Sequence, residues 1–139
     1  MFCMIGFRYG TTNCNLFICH LLYCINRLML YVIIILFVLA AVAGVVILKN
    51  WLTGGTTARA TIYTHGVLAA IGLVLLLVHY FQNGAKALQT SIILFVAAAL
   101  VGFYMFFRDL KGIMSPTWLA IVHGLVGATG LILIVLMVI

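Results

Sequence analysis

Three histidines set the chemistry open to this chain. His65 opens the stretch HGVLAAIGL, His123 opens HGLVGATGL 58 positions later, and His79 follows His65 by 14 residues. All three fall within or at the end of long apolar runs. A polar ring in hydrocarbon is costly, turns toward the interior of a helix bundle, and counts as a functional candidate unless packing accounts for it. An imidazole in such a place can hydrogen-bond across helices, move a proton, or ligate a metal. Proton relays through membranes ordinarily run along Asp, Glu and His, and this chain has one acidic residue, Asp109. Hydrogen bonding and ligation remain for His65 and His123.

The elements that must carry these rings follow from composition. With 68% hydrophobic and 6% charged residues in 139, the chain lacks the polar surface of a soluble domain. It reads as an all-α polytopic membrane protein. Four apolar runs, at about 28–48, 60–81, 87–107 and 117–139, each reach the ~20 residues that a spanning helix needs. Turn-rich KNWLTGGTTAR, short QNGAK and RDLKGIMSP separate them, the last carrying Asp109 outside any helix and ending at Pro116, which suits a helix first turn. Trp51 and Trp118 lie at run edges, as interfacial anchors do. Loops 1 and 3 carry Lys49, Arg59, Arg108 and Lys111, so the positive-inside rule puts them in the cytoplasm and the termini outside. The net charge of +6 comes from basic residues scattered singly between apolar runs, which speaks against a nucleic-acid partner.

A slide of the chain against itself by 58 residues aligns IILFVLAAVAG (34–44) with IILFVAAALVG (92–102), and the two His-Gly stretches with each other, without a gap. Two tandem helical hairpins related by a pseudo-twofold axis along the membrane normal follow from this, giving a four-helix transmembrane bundle. His65 and His123 then sit at equal depth near the cytoplasmic ends of parallel helices, where the axis can bring them face to face. Each unit also repeats small residues at helical spacing: Ala40-xxx-Gly44 and Ala98-xxx-Gly102, Gly66-xxx-Ala70 and Gly124-xxx-Ala128, then Gly72 and Gly130. Membrane helices associate by close packing at such residues, so Gly44, Gly102, Gly72 and Gly130 are expected at helix contacts. The plain role for His65 and His123, with Tyr63, Thr64 and Thr129 nearby, is to hydrogen-bond across helices and hold their register.

His65 and His79 lie about 40° apart around a helix and about 21 Å apart along it, on one face at opposite membrane sides. In these residues the chain resembles the four-helix membrane b-type cytochromes, over helices 2 and 4. That resemblance implies haem b held by His65 and His123 as axial ligands, with Gly66 and Gly124 giving clearance for the macrocycle. It also places His79 opposite Met137, and His/Met is an axial pair in cytochromes. A solvated interfacial histidine is the alternative for His79.

The first 27 residues differ from the rest. They hold Cys3, Cys14, Cys19, Cys24 and His20, and an apolar run from Leu16 to Ile25 too short to span. Residues 1–27 read as an upstream extension from a misassigned start, with Met29 and Met4 as other starts, or as a short interfacial helix; 28–139 is the transmembrane domain. Steps of five residues spread thiols around a helix, which does not make a metal site. Zinc or copper on two histidines alone would lack ligands. The chain shows no serine hydrolase set around Ser91 or Ser115 and no phosphate-binding glycine loop. The functional expectations are therefore three: a structural or accessory bundle without catalysis of its own, self-associating or part of a larger membrane complex; a b-type electron-transfer protein; or a minimal transporter or channel active as an oligomer. A bacterial cytoplasmic membrane suits the small size and short loops.

Overall fold

Long apolar runs in lipid must satisfy their backbone internally, and the α-helix does so within one segment. The computed structural model, which describes residues 16–84, 86 and 88–138 (for 16–19 the backbone alone), has four helices: α1 Leu16–Leu52, α2 Arg59–Asn83, α3 Leu88–Leu110 and α4 Thr117–Val138. All four are long and apolar enough to cross a membrane. α2 stops at Gly84, whose φ of 60° is in the left-handed region that only glycine adopts freely, with its N–H on the Tyr80 carbonyl at 2.8 Å.

Helix α1 packs chiefly on α2, and α3 chiefly on α4; α1–α4 and α2–α3 contacts close the ring. α1 and α3 thus face each other across one diagonal, α2 and α4 across the other. The core is a narrow column that includes Ile33, Phe37, Leu76, Leu88, Phe95 and Ile134, while many large apolar side chains point outward, as expected where lipid is the solvent.

Two sequence expectations change here. Helix α1 begins at Leu16 rather than near residue 28, and its 37 residues run about 55 Å. The polar pair Asn26–Arg27, which precedes the run expected to begin near residue 28, finds partners at the end of the bundle. Asn26 Nδ2 donates to Asn83 Oδ1 at 2.9 Å, and Arg27 Nη1 donates to the Val138 carbonyl at 3.1 Å, capping α4 with a cation. The helix therefore passes straight through. Helix α3 reaches Leu110, so Asp109 lies in its last turn and not in a loop. The cysteine readings at Cys3, Cys14 and Cys19 fall outside the described residues or side chains; Cys24 is exposed and unbridged.

Replacing Arg27 with Gln should loosen the end of α4 alone, since a cation at a helix C-terminus acts only within the last turn. Amide exchange should quicken in the last turn of α4 and not at Phe95. Equal exchange in both variants would show that the cap contributes nothing.

Candidate functional site

The site is built from the small residues upward. On α1, Ala40 and Gly44 are one turn apart, so they share a face. Because Gly44 has no side chain, the His65 ring from α2 lies directly on it: a Cβ at Gly44 would come within 3.1 Å of His65 Cε1. From there Nδ1 reaches the Ala40 carbonyl at 2.8 Å. A carbonyl only accepts, so Nδ1 carries the hydrogen, and in the neutral ring Nε2 keeps its lone pair.

The second hairpin makes the same contact with its own residues. His123 Nδ1 lies 2.9 Å from the Ala98 carbonyl, and a Cβ at Gly102 would fall 3.1 Å from His123 Cε1. Donor and acceptor are 25 residues apart in both cases. The two rings meet across the α2–α4 diagonal, with centroids 6.0 Å apart and planes at 67°. No hydrogen bond of either Nε2 occurs among the described residues.

About 10 Å further along α2, a second layer fills the other diagonal. Phe37 of α1 and Phe95 of α3 stack with centroids 4.0 Å apart and planes within 5°. Each ring presses on a glycine: a Cβ at Gly72 would come within 3.2 Å of Phe37, and one at Gly130 within 3.2 Å of Phe95. All four glycines expected at helix contacts are therefore at contacts, two under imidazoles and two under phenyl rings.

His79 forms a separate polar knot at the far end. It is buried, not solvated. Asn83 Nδ2 donates to the His79 carbonyl at 3.0 Å and lies 3.3 Å from its Nδ1, while Asn83 Oδ1 accepts from Asn26. Sequence reading missed this knot. Its signal was present as Asn83, one turn after His79 on the same face.

Other residues fall elsewhere than expected. Gly66 and Gly124 are exposed, with nothing within 4 Å of a built Cβ; the glycines beside the rings are Gly44 and Gly102. Thr64 and Thr129 bond back to Ala60 and Leu125 of their own helices rather than across the bundle. Tyr63 meets Phe106 edge-on. Met137 is exposed while His79 is buried and held by Asn83. The best-formed depressions are shallow grooves, one lined by Leu100, Val101, Tyr104, Pro116, Trp118 and Leu119, the other by Ala70, Ile71, Val74 and Leu75. Neither touches a histidine. No cluster of three or more His, Cys, Asp or Glu occurs among the described residues. No family model, curated protein or solved structure matches the chain.

Proposed function

We propose that this chain is an integral membrane protein made of a duplicated helical hairpin, and that it serves as a structural or accessory component without catalysis of its own. One observation carries the reading: each histidine is used to lock its own hairpin, imidazole on glycine and Nδ1–H on the carbonyl one turn earlier, and the lock is built twice from corresponding residues. The 58-residue step that relates His65 to His123 also relates Ala40 to Ala98, Gly44 to Gly102, Phe37 to Phe95 and Gly72 to Gly130, which supports duplication. Gly66-xxx-Ala70 and Gly124-xxx-Ala128 are exposed on the outer surface, which supports packing against a second copy or a larger membrane complex. The basic residues in and beside loops 1 and 3, Lys49, Arg59 and Arg108 at helix ends and Lys111 beyond α3, favour a cytoplasmic location for that end, with the termini outside, in a bacterial cytoplasmic membrane.

A second reading, as a b-type haem protein, is favoured by the ring separation. The two rings meet at 6.0 Å between centroids, and neither Nε2 has a hydrogen-bond partner among the described residues, so both would be free to hold an iron. Ligating histidines ordinarily donate the other ring N–H to a carbonyl or carboxylate, as both do here. His65 and His123 would be the axial ligands, and haem would supply one-electron chemistry between them. The donor set fits, but the space beside it is taken: the imidazoles themselves cover Gly44 and Gly102, Gly66 and Gly124 are exposed, and neither groove described above touches a histidine.

A reduced-minus-oxidised spectrum of protein purified in mild detergent from haem-sufficient cells separates the two. The structural reading expects a flat spectrum, and a His65→Leu/His123→Leu protein that stays folded and loses about 1–2 kcal/mol for two interhelical hydrogen bonds. A b-type band that disappears in His123→Leu would overturn it in favour of haem.

A further inference from the structure

The loop 3 end of the second hairpin has features that neither histidine reading uses. The groove of Leu100, Val101, Tyr104, Pro116, Trp118 and Leu119 runs between α3 and α4 on the outer surface, and Leu100 and Trp118 are more than 60% exposed there. Its walls are apolar along the membrane-spanning stretch. Its end is not: Tyr104 both lines the groove and contacts Arg108, whose Nη1 lies 3.3 Å from the tyrosine hydroxyl and whose Cζ is 5.8 Å from the ring centroid.

Arg108 is incompletely satisfied. Nη2 donates to the Met114 carbonyl at 2.9 Å, and Nε is buried with no partner. Both acceptors it has are neutral, so no carboxylate opposes its charge in these contacts. Ser115, just before Pro116 and 7% exposed, has a buried Oγ that is likewise unpartnered. These orphaned groups sit beside the first turn of α4, the positive end of a helix whose opening N–H groups lack intrahelical acceptors. Lys111 adds a second cation just beyond the end of α3, with Asp109 the one carboxylate between them. An apolar trough that ends in net positive charge, Arg108 and Lys111 against Asp109, with a tryptophan at its rim, matches one kind of molecule present wherever a membrane protein sits.

We infer that the α3–α4 groove binds an anionic phospholipid, its acyl chain along Leu100, Val101 and Leu119 and its phosphate at Arg108 and the α4 N-terminus. The phosphate supplies the charged acceptor that the guanidinium lacks, a stronger partner than the neutral tyrosine and carbonyl it now contacts. The first hairpin has no equivalent: 58 positions earlier, Asn50 stands for Arg108, Val46 for Tyr104 and Ala60 for Trp118. The site therefore belongs to one hairpin. It rests on the membrane placement proposed above and on neither role of the histidines.

The two tryptophans make the test. In Trp51→Phe protein Trp118 alone reports, and in Trp118→Phe protein Trp51 alone reports from the same end of the bundle. Each is reconstituted into phosphatidylcholine vesicles carrying either brominated phosphatidylglycerol or brominated phosphatidylcholine, and quenching is converted to relative lipid affinity. Trp118 should show about a five-fold preference for phosphatidylglycerol, the size expected for one well-placed basic residue. Trp51 should show a smaller one. Arg108→Gln should remove the excess at Trp118, and Arg108→Lys should keep most of it. Equal preference at the two tryptophans, or an excess that survives Arg108→Gln, would overturn the site while leaving the membrane placement intact. No quenching by either lipid would overturn the placement itself. Since the parent comparison is decisive alone, a poorly folding Arg108→Gln protein would not rescue the idea.

Discussion

Phe37→Ala is expected to lower the unfolding free energy in detergent by about 2–4 kcal/mol, the largest loss from any single truncation in this chain. Phe37 and Phe95 stack across the α1–α3 diagonal with centroids 4.0 Å apart, and both are more than 90% buried. Truncation of a buried phenyl ring costs roughly 3–5 kcal/mol in soluble cores. The figure is reduced here because a lipid-solvated unfolded state already shelters apolar surface, so packing carries most of the term. The cavity would open against Gly72, which has no side chain to fill it. Phe95→Ala should behave alike. The double variant should lose about 0.5–1.5 kcal/mol less than the sum of the two, the coupling typical of paired aromatic rings. Reversible unfolding monitored by circular dichroism during SDS titration reads all three. A loss below about 1 kcal/mol for either single variant would mean that the ring pair is not the centre of the fold.

Glycine substitutions on either side of a histidine should differ sharply. Gly44→Leu places a Cβ 3.1 Å from His65 Cε1 and 3.3 Å from Nδ1, before the rest of the leucine is accommodated. The ring must leave the Ala40 carbonyl, and the helices must part. Overpacking costs about 1–3 kcal/mol, and the lost hydrogen bond adds about 0.5–1.5 kcal/mol. Gly66→Leu makes the same chemical change at the residue after His65, where a built Cβ meets nothing. That variant should stay within about 0.5 kcal/mol of the parent, or gain slightly from replacing glycine within a helix. Gly102→Leu and Gly124→Leu should repeat the contrast in the second hairpin. Parallel thermal unfolding of the four proteins is enough to check it, and a destabilised Gly66→Leu alongside an indifferent Gly44→Leu would reverse the account of the lock.

The contrast also explains what could be read in advance. Helices 2, 3 and 4 were legible because apolar runs bounded by glycine, proline and charge leave little room for error beyond a few terminal residues. The start of α1 was not, since Asn26 and Arg27 precede the apolar run and gain partners only when Asn83 and the Val138 carbonyl are brought beside them by the fold. The facing histidines followed from their common depth in parallel helices. Their true neighbours did not: a residue adjacent in sequence is turned about 100° around the helix, so Gly66 points away from the face that His65 uses. The partner had to come from another helix, and the Ala40-xxx-Gly44 spacing was the available clue. His79 was misplaced for a related reason, because nearness to a helix end says nothing of whether a neighbouring helix covers it.

Contacts within each hairpin are more extensive than those between hairpins, and the link from α2 to α3 is only residues 84–87. Such an arrangement would assemble in two steps, each hairpin closing on its own histidine lock before the two dock, joined across the middle by two pairs of rings. A hairpin exchanged between two copies would re-form the same seam, because every docking contact made within a copy is equally available between copies, and a short tether at the exchange point favours such a swap.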